Sequence, residues 1–143
     1  MFKLKKILNK HNNAPEIEIL PLEASSYSKP GQLFLASNGE LTAQIGTEYS
    51  DTIYVVLDEI NDYSESRLAK CFRVTPDMIF EVECKNVNTI FGNKFTITTA
   101  YTSYGYDGIL IVSDETKTST GYVVDTSDLA KNKTVLVRFH CKQ

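Results

Sequence analysis

The sequence predicts a mainly β fold, a small β-barrel or β-sandwich domain with an extended N-terminal arm, and three observations carry that prediction. Between Cys71 and Cys84 the even positions Phe72, Val74, Met78, Phe80, Val82 and Cys84 are apolar, while Arg73, Thr75, Asp77, Glu81 and Glu83 take odd positions. This is the period-2 alternation of a strand with one face on a core. Asn38-Gly39 stands between two apolar runs, the strongest short-range hairpin signal. Strand-like segments follow one another at short spacing, with no helical pattern long enough for βαβ units, which favours a barrel or sandwich.

In chain order, residues 1–14 come first and hold Lys3, Lys5, Lys6 and Lys10 without an acid. Leu4, Ile7 and Leu8 have the spacing of one helical face, but the stretch is too short to be a stable helix alone. Two readings remain, a frayed tail and an arm that orders only against a partner. In the second, the apolar side chains dock and the lysines meet acidic groups. His11 to Pro15 reads as a linker, and residues 15–143 as the β-domain.

Ile17, Ile19 and Pro21 form a short alternating piece that the proline ends. Ser25 to Gly31 is a polar loop containing Pro-Gly, and residues 32–37 and 40–45 are the arms of the hairpin. Residues 52–57 include Ile53-Tyr-Val-Val-Leu57 without interruption, as expected of a strand covered on both faces. Asp58 to Lys70 is either an exposed loop or one helical turn around residues 64–68.

Pro76 lacks an N–H for a ladder, so the Cys71–Cys84 run is either one strand bent at its edge or two strands joined at Thr75-Pro76-Asp77. The parity survives either way, and Ile79 alone departs from it. Beyond Cys84, Asn86, Asn88, Gly92 and Asn93 punctuate short segments, and Phe95, Ile97 and Thr99 alternate with polar neighbours. Asp107-Gly108 turns into the apolar run 109–112, and Gly121 to Asp125 is a further strand. Asp128 to Lys133 suits a single capped turn before residues 134–141, with Val135, Val137, Phe139 and Cys141 inward.

A chain of 143 residues with 42% hydrophobic and 23% charged residues fits one globular domain. No apolar run approaches the roughly 18 residues of a membrane span, and lysines interrupt the N-terminus where a secretory signal would be continuous. Neither membrane insertion nor export is expected. Cys71, Cys84 and Cys141 are odd in number and lack CxxC spacing, which points to buried, reduced thiols rather than a disulfide framework or a zinc cluster. The net charge is −3, yet residues 1–14 hold four of the 15 basic residues and none of the 18 acids, leaving −7 on the remainder. So acidic a body is a poor surface for nucleic acid.

Catalytic, metal-binding and cofactor-binding residues are not expected. His11 lies in the basic tail, and His140 alternates with Arg138 and Lys142 on the solvent face of the last strand, each without companion ligands. Glu81 and Glu83 share a strand face about 7 Å apart, where two acids serve to solvate a strand. Neither a phosphate loop, a GxSxG elbow nor an HExxH motif occurs. Tyr101, Tyr104 and Tyr106 sit in one glycine-containing loop and form a candidate interface, because tyrosine supplies contact area at little entropic cost. Packing over the domain's own core is the competing reading.

Arg73 to Glu81, followed by Asp107-Gly-Ile109, Gly121-Tyr-Val-Val124 and Val135-Leu-Val-Arg-Phe139, resembles the auxiliary head, or decoration, proteins of tailed bacteriophages. Gly31-Gln-Leu-Phe34 and Gly39-Glu-Leu41 resemble their opening hairpin, so the likeness spans about residues 30–141. It rests on short β patterns. The resemblance implies a β-rich, often trimeric protein of the virion, made in the host cytoplasm, that clamps the major capsid protein on the outside of the shell, frequently with an N-terminal arm. On that reading Phe2, Lys3, Leu4, Lys5, Lys6, Ile7, Leu8 and Lys10 are the capsid-binding residues, although the lysine-rich stretch matches no motif of the family. The second reading is a small β-barrel binding carbohydrate or another ligand, in a phage tail or cell-surface module, through the Tyr101–Tyr106 loop.

Overall fold

In the computed structural model, which describes residues 1–8, 10, 14–43, 52–86, 88–98, 104–112 and 119–140, the Cys71–Cys84 run is divided between two sheets. β6 (Leu68–Arg73) and β7 (Met78–Glu83) lie either side of a turn at Pro76-Asp77. Proline breaks the ladder there, as its missing N–H demands. Both strands nevertheless send their even residues, Phe72, Met78, Phe80 and Val82, into one core, with Val74 and Cys84 beside them. Arg138 secures the corner, donating from Nε and Nη2 to the Pro76 carbonyl at 2.9 and 2.7 Å.

β6 belongs to a five-stranded sheet that also contains β2 (Glu18–Pro21), β3 (Leu33–Ser37), β4 (Glu40–Thr42) and β5 (Ile53–Val56), in the order β2-β6-β5-β3-β4. This sheet curls until Leu22, just after β2, bridges Leu41 in β4, and the Glu23 N–H donates to the Leu41 carbonyl at 2.9 Å. The result is nearly a closed barrel. Leu22, Phe34, Leu41, Tyr54, Val56, Ile60, Ala69 and Cys71 fill its interior. Alternate residues of the same strands, Leu33, Leu35, Ile53, Val55 and Phe72, face the other sheet. β5 is therefore buried at all four positions, as its unbroken apolar run requires.

β7 belongs to a six-stranded antiparallel sheet with β1 (Lys3–Ile7), β8 (Lys94–Thr98), β9 (Gly108–Ile111), β10 (Gly121–Asp125) and β11 (Thr134–Phe139), ordered β1-β7-β11-β10-β8-β9. Phe95, Ile97, Ile109, Val123, Val135, Val137 and Phe139 point from it into the inter-sheet core. The β3–β4 hairpin turns on Asn38 and Gly39, with φ of 53° and 79°. Two successive positive φ angles define a type I′ turn, whose twist matches the flanking strands. α1 (Leu129–Asn132) is a single turn. Asp128 precedes it without a side-chain capping bond, and Lys133 closes it in the left-handed region at φ 56°.

The N-terminal segment departs from expectation. Residues 3–7 are not a detachable arm but strand β1, paired antiparallel to β7 and forming one edge of the larger sheet. Phe2 and Ile7 are buried at 3% and 1% exposure, and Leu4 packs against the same core. The register shifts between Leu4 and Lys6, so one extra residue is accommodated as a β-bulge. The spacing Phe2, Leu4, Ile7 is thus a strand period interrupted once, and that interruption is what lets Leu4, Ile7 and Leu8 read in one dimension as a helical face.

Candidate partner-binding surface

Because β1 is part of the sheet, its residues divide by side. Phe2 packs edge-on against Phe80 (6.5 Å between centroids, 81°) and tilted against Phe139 (5.9 Å, 54°), and Ile7 is buried beside Met78, its pairing partner. Neither is free to meet a capsid, which corrects their assignment as docking residues. Lys3, Lys5, Lys6 and Lys10 are exposed, while Leu4 and Leu8 are half-buried. Lys5 Nζ lies 3.8 Å from Glu81 Oε2. Lys3, Lys6 and Lys10 have no carboxylate partner among the described residues. The Leu8 N–H donates to the Asp77 carbonyl at 2.8 Å and the Phe2 N–H to the Gly31 carbonyl at 2.9 Å, so both ends of the strand are tied to the body. Lysines and a bulge on an edge strand oppose addition of a further strand.

Beside β1, between the two sheets, runs an apolar groove of about 460 Å³ whose walls include Phe2, Leu4, Pro15, Ile17, Leu57 and Phe72. Ile17 and Leu57 are 49% and 40% exposed on its rim. Ile19 on β2 and Leu68 on β6 extend the apolar surface beyond it, at 61% and 56%. The alternating piece around Ile17 and Ile19 thus exposes its isoleucines, and Leu20 turns to the barrel interior instead. Past Ile7 the groove gives way to a hollow of about 530 Å³ whose lining includes Lys10, Arg73, Glu16, Glu18 and Asp77. There the Tyr54 hydroxyl donates to Glu18 Oε1 at 3.5 Å, and burial, followed by the Glu18 charge, pushes the phenol's pKa up.

The tyrosine loop is not one surface. Tyr106 is 1% exposed, exchanges backbone hydrogen bonds with Leu33 at 2.8 Å, and donates its hydroxyl to the Ala43 carbonyl at 2.9 Å. It is a core residue whose polar tip has found an acceptor, which corrects its reading as an interface. Tyr104 is half-buried against Tyr27 (5.5 Å, 45°), with Lys29 Nζ 5.4 Å from its ring centroid. The Tyr27 hydroxyl donates to Asp62 at 2.8 Å, and that bond raises its pKa. Tyr101 lies outside the described residues.

Among groups with reactive potential, Cys71 is sealed in the barrel, where burial and then the Glu18 charge push its thiol up to about 11. Cys84 is buried with Sγ 3.3 Å from Thr89 Oγ1, and both cysteines are free thiols. Cys141 and His11 fall outside the described residues. His140 is exposed and stacks on Tyr122 (5.2 Å, 30°). Among the described residues no three His, Cys, Asp or Glu side chains gather closely enough to hold a metal ion, and no helix is long and apolar enough to cross a membrane. Pattern reading missed the groove, since its walls come from five separate segments; the run of exposed isoleucines at 17 and 19 was the available signal. No family model and no curated protein matches the chain.

Proposed function

We propose that this chain is a non-catalytic structural protein of a phage virion that binds the outside of the assembled capsid and stabilises it, working by shape and charge. The observation that carries this reading is the mounting of exposed Lys3 and Lys6 on edge strand β1, with exposed Lys10 just beyond it, on an otherwise acidic body. Rigid presentation lowers the entropy lost on docking. A local cationic strip on a protein of opposite overall sign sets one orientation of approach to an acidic shell surface. The half-buried Leu4 and Leu8 supply apolar contact beside the strip. The resemblance of residues 30–141 to decoration proteins supplies the partner, the major capsid protein, as the surface to be bound.

The test is co-sedimentation with tailed-phage heads assembled from major capsid protein alone, comparing the chain with a Lys3→Glu, Lys6→Glu, Lys10→Glu variant. Binding should weaken by about tenfold or more in the variant, because a reversed charge is repelled as well as unpaired. It should also weaken between about 0.05 M and 0.5 M salt, as the Debye length contracts. Absence of binding by the unaltered chain, or equal binding by the variant, overturns the proposal.

A further inference from the structure

We infer that the apolar groove beside β1 is a binding site for an aliphatic monocarboxylate, its chain laid along the floor of the groove and its carboxylate met by the Lys3 ammonium. This goes beyond the capsid reading and does not depend on it.

The groove, of about 460 Å³, falls in the size range of sites that take small molecules. Its floor is inter-sheet core. Phe2, Val55 and Phe72 are buried at 3%, 2% and 4% exposure, while Ile17 and Leu57 stand exposed on the rim. A hydrocarbon chain in the cleft would take the rim's apolar surface out of water together with its own, and the gain grows with the area removed.

The main chain around the groove has its partners already. Val55 is paired to Leu33 on one side and to Phe72 on the other. The Gly31 N–H donates to the Val56 carbonyl at 2.8 Å and the Leu57 N–H to the Lys70 carbonyl at 2.9 Å, and Pro15 and Pro30 have no N–H to offer. A peptide laid here would bring its own N–H and C=O groups into apolar surroundings unpaired, and the bulged, lysine-bearing edge of β1 opposes pairing with it. An aliphatic chain brings no such groups.

One charge remains. Lys3 lines the groove, and among the described residues no carboxylate does. Glu81, opposite Lys3 in the ladder, meets Lys5 instead, at 3.8 Å. An ammonium whose stem lies along apolar walls keeps its charged head at their margin, where it favours an anion. The complementary ligand is therefore apolar along its length and negative at one end.

The experiment is isothermal titration calorimetry of the purified chain with sodium dodecanoate below its micelle concentration, set beside decanoate, octanoate and decanol. Dodecanoate should bind saturably at one per chain, and each removal of two methylenes should weaken binding by about tenfold. Lys3→Gln should weaken decanoate by about threefold and leave decanol unchanged, a difference that a merely structural lysine would not produce. Leu57→Asp, which sets a carboxylate on the exposed rim, should weaken every acid by about tenfold or more, with circular dichroism checking that the fold is kept. Absence of saturable binding, affinity independent of chain length, equal effects of Lys3→Gln on decanoate and decanol, or unimpaired binding by Leu57→Asp would overturn the inference. So would self-association of the unaltered chain in sedimentation velocity that Leu57→Asp abolishes, since a second copy would then occupy the groove. Capsid co-sedimentation is read separately, so failure here and failure of the capsid reading are distinguishable.

Discussion

The rings of Phe72 and Phe80 lie parallel, 2° apart in plane with centroids 6.2 Å apart, although one belongs to the barrel and the other to the larger sheet. Phe80 also meets Phe2 and Phe139 edge-on, the latter at 5.5 Å and 84°, so it joins the two sheets and the N-terminal segment at one point. Phe80→Ala should cost about 3–5 kcal/mol by chemical denaturation, the range for deleting a buried phenylalanine. Phe72→Ala should cost less, and the double variant should fall short of the sum by at least about 0.5 kcal/mol because the two share a contact. Strict additivity would mean that the stacking carries no energy.

The N-terminal residues test whether β1 belongs to the domain. Phe2→Ala should destabilise the whole protein by about 3 kcal/mol. Lys3→Ala or Lys6→Ala, on the outer side of the same strand, should stay within about 0.5 kcal/mol. Urea denaturation of the three variants separates the sides, and an unchanged midpoint for Phe2→Ala would restore the detachable arm.

Legibility in the sequence followed the range of the interaction. The Asn38-Gly39 turn is local chemistry and was readable, and so was the parity of residues 72–84, because alternation survives a proline that moves the chain between sheets. β1 was not readable, since the bulge at Leu4 to Lys6 inserts one residue and converts strand spacing into apparent helical spacing. Tyr106 was not readable either. Whether a loop tyrosine faces solvent or the Ala43 carbonyl depends on a neighbour 63 positions away. The groove arises from segments around residues 1–4, 15–17, 30–31 and 55–57 together with Phe72, a juxtaposition no single stretch encodes.

Two glycines should respond in opposite degree to alanine. A Cβ on Gly39 meets nothing within 4 Å, but φ 79° is unfavourable for it, and Gly39→Ala should cost about 1–2 kcal/mol. A Cβ on Gly121 would collide with the Arg138 carbonyl and lie 2.8 Å from the Phe95 ring. Since β10 sits between β11 and β8, neither neighbour can withdraw without opening the sheet. Gly121→Ala should exceed about 4 kcal/mol or fail to fold. Soluble yield and denaturation midpoints measure both, and a mild Gly121→Ala would show that the ladder there is looser than described.

Alkaline pH offers the last test, through Cys71. Its folded thiol titrates at about 11 against an ordinary 9.0, because the barrel interior disfavours a thiolate. The folded chain therefore holds this proton more tightly than the unfolded chain does, and unfolding between those values releases it. The thiol's contribution to stability is complete below about pH 9, declines by about 1.4 kcal/mol per unit above it, and is lost as pH passes about 11. Burial raises the Tyr54 phenol as well, which adds a decline of the same sign. Cys71→Ala should therefore flatten the fall between pH 9 and 11 without abolishing it. Iodoacetamide at pH 8 should leave Cys71 unmodified until urea opens the barrel, because the reactive thiolate is scarce and enclosed. Rapid native labelling of Cys71, read by peptide mass, would show that the barrel between β2 and β4 opens on its own.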